Sequence, residues 1–355
     1  MELAPHGPWM EADAPHSDVV MSCRVRMARN IAGFPFVNRS TDAQRNELLN
    51  ISRQVLLGSD IAENMIWVDL NSATERDRLL LFERHLISKN FAECATPCGV
   101  AVSGDESLSI MVNEEDHLRM QVLAPGLQLD GVFQRINAID DTVESRVDYA
   151  FSPRWGYLTA CPTNVGTGIR FSVMMHLPAL KITGEIDRVR RAAKDLNLAV
   201  RGYYGEGSES AGDFYQISNQ LTLGRSEEDL LGQFQDDILP RIIEYEYQAR
   251  RILVSRSATL LDDRAHRALG ILTSARLLGA EEAMKLLSRL RLGAYLNRID
   301  GLDPAVINKL FLQIQPAHLQ LAVGKALEGD ALRETRATFV RTTLGDSGNS
   351  LPPRN

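Results

Sequence analysis

A chain of 355 residues, 44% of them apolar and 24% charged, has ordinary globular composition and is long enough for two domains or one large domain with an appendage, which excludes general disorder. Its formal net charge of -7 argues against broad, sequence-independent nucleic-acid binding but leaves room for a local arginine cluster that grips phosphates. Met1 to Met10 lacks a basic segment followed by an apolar one, and no stretch approaches the roughly 20 apolar residues of a membrane span, so neither a signal peptide nor a membrane is expected.

In chain order, Asp42 to Leu57 reads as an amphipathic helix, capped by Thr41 or Asp42, striped by Leu48, Leu49, Ile51, Val55 and Leu56 and stopped by Gly58. Met65 to Leu70 reads as a strand, and Gly99 to Val102 with Leu108 to Val112 as a hairpin turning at Gly104-Asp105-Glu106. Val132 to Val147 is a predicted helix and Tyr157 to Ala160 a short strand. Strand character returns at Phe171 to Leu177, helix at Glu185 to Leu196, and strand again at Leu198 to Tyr204. The run Gly205 to Gly212 is a loop, and Tyr215 to Leu221 returns as a strand. Ser226 with Asp229 resembles a capping box that opens a long helix through about Ile252. After Ser255 strand signals vanish and apolar residues recur at helical spacing, as in Leu269, Leu272 and Ala275–Leu277–Leu278. Pro304 and Pro316 stand where helices begin, and the chain from about Thr343 reads as frayed. The domain boundary is placed near residues 253–258, giving a catalytic domain over 1–255 and a helical domain over 256–355.

Four segments carry chemistry. In Ser22-Cys23-Arg24-Val25-Arg26-Met27-Ala28-Arg29-Asn30 a strand would place Arg24 and Arg26 on one face, either as solvated charges or as two guanidiniums aimed at one anion. Asn113-Glu114-Glu115-Asp116-His117-Leu118-Arg119 follows a strand, and reads as a solvated turn or as a site handling both cations and phosphates. Leu158 to Arg170 sets Cys161 at a strand end, a small-residue turn through Gly166 and Gly168, and Arg170 opening the next strand. It lacks the lysine of a P-loop and the spacing of a dinucleotide fingerprint. Cys161 is then a buried free thiol or a thiolate beside arginines. Arg201 to Glu209 puts an arginine on a strand and two acids, Glu206 and Glu209, in a loop that is plain surface or a lid. Cys94-x3-Cys98 has no second pair, so all four cysteines read as free thiols of a reducing cytosol.

These four blocks, in this order, resemble the signature blocks of the guanidino kinases, the family of creatine kinase and arginine kinase, from about Asp18 to Ile252. The first arginine block begins at Ser22, where animal members carry a helical domain of about a hundred residues before it. The helical C-terminal extension and the wording of Gly205–Glu209 and Gln216–Gln220 resemble the bacterial protein-arginine branch of the family. The resemblance implies an α+β fold: a mainly antiparallel sheet flanked by helices, plus an α-helical C-terminal domain for dimerisation or substrate docking. It implies ATP and Mg2+ as cofactors, with magnesium held mostly by the nucleotide and no protein metal ligand. Arg24, Arg26, Arg119, Arg170 and Arg201 match the family's nucleotide-phosphate arginines, and Glu115, Glu206 and Cys161 its catalytic residues. Glu209 ranks below Glu206 as the loop carboxylate.

The implied activity is transfer of the ATP γ-phosphoryl group to arginine side chains of proteins. Two alternatives stand beside it: a kinase for free arginine or another small guanidine, and a catalytically silent adaptor binding nucleotide or phosphoarginine. Implied partners are protein substrates with exposed arginines, a stress-response repressor, an activator protein and the Clp chaperone-protease, for a cytoplasmic homodimer. Two positions depart from the family pattern. Where members often stack adenine on a histidine this chain has Met174, with His176 two residues on. The branch's phosphoarginine-binding Arg-Asp-x-x-Arg-Ala motif reads Leu332-Arg333-Glu334-Thr335-Arg336-Ala337, matching at its Arg-Ala end only.

Overall fold

The alternation of arginine with Val25 and Met27 becomes strand β1 (Val20–Arg29), fifth in a sheet of eight strands among the described residues. The computed structural model describes residues 7–203 and 211–346. Further strands are β2 (Ile66–Asp69), β3 (Gly99–Val102), β4 (Leu108–Val112), β5 (Leu118–Pro125), the short pair β6 (Phe151–Ser152) and β7 (Gly156–Tyr157), then β8 (Ile169–His176), β9 (Leu198–Arg201) and β10 (Phe214–Asn219). The sheet order is β2-β3-β4-β5-β1-β8-β10-β9, and neighbours are antiparallel throughout.

Helices α1 (Asp42–Gly58), α2 (Glu75–Glu83), α3 (Lys89–Ala92), α4 (Leu129–Glu144), α5 (Pro178–Ile182), α6 (Ile186–Asp195), α7 (Glu227–Gly232) and α8 (Leu239–Arg256) flank the sheet. The C-terminal part holds α9 (Ala258–Ser274), α10 (Ala280–Tyr295), α11 (Pro304–Gln313), α12 (Pro316–Val323) and α13 (Gly329–Asp346). The expected caps are in place. Thr41 and Gln44 close a reciprocal capping box on α1, Ser226 accepts from Asp229 N at the start of α7, and Pro304 and Pro316 open α11 and α12.

Register decides what each sheet face does. Val25, Met27, Met120, Val122, Phe171, Val173 and Ile217 point to the back, where they share one core with Phe133 and Ile136 of α4 and Leu239 and Ile243 of α8. The front is covered at both ends. At one end Val100 and Met111 pack with Leu81 of α2 and Phe91 of α3. At the other, Met21, Leu123, Met174 and Phe214 are sealed by Met284, Leu287 and Leu290 of α10 and Phe311 of α11. The helical part therefore shares a core with the sheet, and between the two covered ends the front face is open among the described residues.

A buried polar network fastens this junction. Arg291 of α10 donates to the carbonyls of Ser17 and Asp18 at 2.5 and 2.9 Å, to Asn308 Oδ1 at 2.8 Å, and meets His176 Nδ1 at 2.8 Å. His176 Nε2 meets Ser288 Oγ at 2.9 Å, and Ser288 donates to Asp213 at 2.7 Å. Desolvation, the largest influence, pulls the Arg291 guanidinium down to about 10, and four oxygen and nitrogen partners make its burial tolerable.

Several boundaries differ from the sequence reading. The helix expected over 132–147 starts earlier, at Leu129, and ends at Glu144; the strand expected over 157–160 is only Gly156–Tyr157. Strand β5 was not anticipated, although Leu118, Met120 and Val122 alternate with Arg119 and Gln121 at period two. The helix expected from Ser226 to Ile252 is interrupted by a wider π-type turn at Gln233–Ile238, just before Pro240, whose missing N–H removes an i to i−4 bond. Fraying does not begin at Thr343, which lies inside α13 and donates to the Phe339 carbonyl at 2.9 Å.

Candidate active site

The open front face is an arginine surface. Arg24 lies opposite Ser172, and Arg26 lies opposite both Gln121 and Arg170. Arg119 precedes Gln121 by two residues, and Arg201 faces Gln216, itself opposite Met174. Directly paired residues share a face, so this register puts Arg24, Arg26, Arg119, Arg170 and Arg201, from four strands, on one side. They line two adjoining hollows of about 620 and 180 Å³, with Arg26, Arg119, Arg201 and Glu115 common to both.

The cations are buried together at an electrostatic cost. Arg24 is pulled down to about 9, first by desolvation and then by Arg119, Arg170 and Arg201, and Arg26 is lowered for the same reasons with Arg24 added. Arg24 is steadied by Gln216 Oε1 at 3.1 Å, whereas Nε and Nη2 of Arg26 are buried with no partner. A polyanion laid across this surface would satisfy those nitrogens and quench the mutual repulsion. Arg119 is the exception. Its Nη1 meets both oxygens of Glu114 at 2.7 and 2.8 Å, and Glu114 also accepts from Ser88 at 2.6 Å. Burial alone would raise the Glu114 carboxyl, but Arg119 and Ser88 outweigh it and hold it below the ordinary range.

The acidic turn between β4 and β5 is held rigidly. Asn113, at a φ of 64°, closes it by donating its N–H to the His117 carbonyl at 3.0 Å. His117 accepts from Ile31 N at 2.9 Å and meets the Pro35 carbonyl at 2.9 Å, so burial keeps this ring neutral. Asp116 Oδ1 accepts from Asn30 Nδ2 at 2.6 Å and from Ala160 N at 2.7 Å. That carboxylate ties the acidic turn to the cysteine segment. Glu115, exposed at the hollow's edge, lines the smaller hollow together with Cys161, and its carboxyl is raised by lost hydration first, then by Asp116 and Glu114. Cys161 itself lies 3.0 Å from Thr163 Oγ1 at the mouth of the smaller hollow.

The glycines after Cys161 permit close backbone approach. A Cβ on Gly168, at a φ of 65°, would meet the Ala28 carbonyl at 2.7 Å and Arg29 Nη1 at 2.8 Å. Arg29 points to the back of this loop and is structural: it grips Asp140 at 2.6 to 3.2 Å and donates to the Thr167 carbonyl at 2.8 Å. Thr222 Oγ1 donates to the Thr163 and Val165 carbonyls at 2.9 and 2.8 Å from the other side.

The structure thus brings Glu115, Cys161 and all five arginines to one cleft. Glu206 and Glu209 lie outside the described residues. Met174 and His176 do not line the cleft: Met174 belongs to the core under the helical part, and His176 is fully buried against Ser288 and Arg291. Sequence reasoning missed His85, which lines the larger hollow with its ring edge-on to Trp9 and Tyr203, both centroids at 5.1 Å. Burial pushes its pKa down to about 3, its Nε2 has no partner, and its φ of 58° is unusual for a side-chain-bearing residue. The segment Leu332–Ala337 lies inside α13, where Arg336 is buried and donates to the Ile314 and Leu278 carbonyls at 2.8 and 2.9 Å.

Comparison with known proteins matches this geometry to a family. Residues 47–249 fit the model of the ATP:guanido phosphotransferase C-terminal catalytic domain, and residues 258–352 that of the protein-arginine kinase McsB C-terminal domain. Protein-arginine kinases of Symbiobacterium thermophilum and Halothermothrix orenii are 44% and 41% identical, each over 95% of this chain and 96% of the relative. This chain belongs to the protein-arginine kinase family. It is accordingly a kinase of the guanidino phosphotransferase class, and its sheet, helices and helical C-terminal part are those of that class. Among solved structures, the duplicated taurocyamine kinase of Schistosoma mansoni is similar at a TM-score of 0.61 and 27% identity, over 70% of this chain and 35% of that duplicated one. A lombricine kinase structure aligns at a TM-score of 0.57 and 25% identity, over 69% of this chain and 72% of that one. Among the described residues no helix is long and apolar enough to cross a membrane.

Proposed function

We propose that this kinase transfers the γ-phosphoryl group of ATP to arginine side chains of proteins. The observation that carries the reading is the junction of the two hollows, where a carboxylate and a thiol, Glu115 and Cys161, meet a surface of five arginines. Arg24, Arg26, Arg119, Arg170 and Arg201 hold the nucleotide phosphates and take up charge spreading over the migrating group. The orphaned nitrogens of Arg26 fit anionic oxygens and not a bare cation, so Mg2+ would arrive with the nucleotide and be held mostly by it. The chemistry it would supply there is neutralisation of phosphate charge, and no protein ligand is assigned to it.

A target guanidinium has a pKa above about 12 and no lone pair ready for attack. Glu115 orients it by paired hydrogen bonds. As the bond from guanidino nitrogen to phosphorus forms and the bond from phosphorus to the bridging oxygen of ADP breaks, Glu115 accepts the nitrogen's proton. Its raised pKa suits that task. Cys161 aligns the cation from the other side without forming a covalent intermediate, and Glu206 is the second carboxylate of the clamp. The neutral ring of His85, in the wall of the larger hollow, is a stacking surface for adenine. The stress-response role, the cytoplasmic setting, the homodimer, and the repressor, activator and Clp partners rest on the family resemblance alone.

The test is an acceptor comparison with Mg-ATP, offering an arginine-rich unfolded protein or free arginine, read by mass spectrometry under non-acidic conditions that spare the phosphorus–nitrogen bond. Label on protein arginines is expected. Label on free arginine instead would make the chain a small-guanidine kinase, and no transfer would favour an adaptor. Glu115→Gln should lower kcat by about 10² to 10⁴ while ATP affinity stays within about two-fold. Retained turnover would overturn the role given to Glu115.

A further inference from the structure

Beyond the arginine surface the larger hollow has a further lobe, whose lining residues have no role in the reading above. Its walls come from Asn38, from Arg45 in the first turns of α1, from Lys89 and Asn90 opening α3, and from Thr96. Asn113 fixes this wall to the acidic turn, since its Nδ2 donates to the Arg45 and Pro97 carbonyls, each at 3.0 Å. The lobe therefore begins two residues from Glu115.

Its charge is one-sided. Arg45 is oriented by donation from Nη2 to the Val37 carbonyl at 2.7 Å, and its Nε has no partner. Among the described residues neither Arg45 nor Lys89 makes an ion pair. Of the two described acids that line this hollow, Glu114 is taken up by Arg119 and Ser88, and Glu115 lies with Cys161 on the smaller hollow as well. Two uncompensated cations stand next to a surface already crowded with arginines, flanked by neutral amides that can donate further hydrogen bonds. Such a wall is complementary to a carboxylate.

We propose that this lobe receives a carboxylate carried by the substrate itself, close to the arginine being phosphorylated. The inference rests on the kinase reading above and refines it. With the target guanidinium at Glu115, a residue one or two places away along an extended segment lies within about 7 Å of the target's Cα, and the lobe belongs to the same hollow as Glu115. The same chemistry has two sources: an Asp or Glu beside the target, or the α-carboxylate of a terminal or free arginine. Selection for a nearby carboxylate would then distinguish among arginines on one unfolded chain.

The test uses the full chain, Mg-ATP and a peptide series: one arginine flanked by Glu, the same peptide with Gln, a C-terminal arginine free or amidated, and free arginine. The expected result is a KM about ten-fold lower for a carboxylate-bearing acceptor than for its amide twin, the size of one charge-assisted contact. In Arg45→Gln and Lys89→Gln the difference collapses, while kcat on the Gln peptide and the KM for ATP stay unchanged. Lys89 is exposed, so its variant guards against misfolding. A gain for the Glu peptide assigns the lobe to flanking acids, and a gain confined to free carboxyl termini assigns it to the α-carboxylate. Equal KM values for all twins in the native chain, or a raised KM for ATP in the variants, would overturn the proposal with the kinase reading intact. No transfer to any acceptor would bring down both.

Discussion

Replacing Asp140 by Asn removes the charge that keeps Arg29 in the interior. The pair is almost sealed, with side-chain exposures of 1% and 8%, and Arg29 reaches both carboxylate oxygens by way of Nε and Nη2 at 2.6 to 3.2 Å. Breaking a buried pair by removing one partner costs about 3 to 5 kcal/mol, because the other charge stays behind. Part of that loss is recoverable. Glu227 lies 3.9 Å from Arg29, and its carboxyl is pushed up to about 7 by burial, opposed by Arg29 and reinforced by Asp140. An acid raised in the folded state weakens the fold as pH climbs from its ordinary value of 4.5 toward 7. Without the charge of Asp140 the carboxyl of Glu227 ionises at lower pH, and above that pH it faces Arg29 as a replacement anion. Urea unfolding should therefore show a midpoint lower by about 1 M at pH 6, taking a loss of about 3 kcal/mol and a slope of about 3 kcal/mol/M. At pH 8 the drop should be clearly smaller. Because Arg29 also holds the Thr167 carbonyl, kcat should fall more than the KM for ATP rises. A drop under about 0.3 M at both pH values would refute the account of Arg29, and equal drops would refute the compensation by Glu227.

Asp116→Asn keeps an oxygen for Asn30 and Ala160 but removes a charge that raises Glu115. A base with a raised pKa loses activity as pH falls through that value, so the acid limb of kcat/KM should move to lower pH in the variant; an unmoved limb would separate Glu115 from the titration. Arg291→Met leaves the Ser17 carbonyl and His176 Nδ1 without their Arg291 partner in the interior, and the Asp18 carbonyl with Arg250 Nη2, at 3.0 Å, in place of two donors. Hydrogen exchange should then quicken together in α10 and at the adjoining end of β8, and unchanged protection in both would show that apolar packing alone holds the junction.

Local signals in the chain were strong where one residue decides its neighbour's geometry. The Thr41 capping box, the Ser226 cap and the prolines opening α11 and α12 each satisfy or spare N–H groups within one turn, so their spacing is visible in the sequence. The period-two pattern at Arg24 and Arg26 likewise settles that they share a face, but it does not say what stands opposite. Register does that, by placing Arg170 and Gln121 beside Arg26 from segments roughly a hundred or more residues away in the chain. The sequence blocks suggested five arginines in one site through family resemblance; strand pairing supplies the physical reason they meet.

The positions misread or missed are those whose role depends on burial. His176 looks available two residues past Met174, yet α10 covers that end of the sheet and turns it into a buried link between Arg291 and Ser288. His85 has no motif around it in the chain, and becomes part of the cleft because α2 ends just before it and Trp9 and Tyr203 close on its ring. By itself the sequence determined many of the elements and their caps, set by interactions along a few residues of backbone, and, through resemblance, the family's chemical groups. Which parts of the front face are dry core and which part is an open, cationic cleft was decided only by tertiary packing, because that depends on where α2, α3 and the helical part come to rest on a sheet whose strands are far apart in the chain.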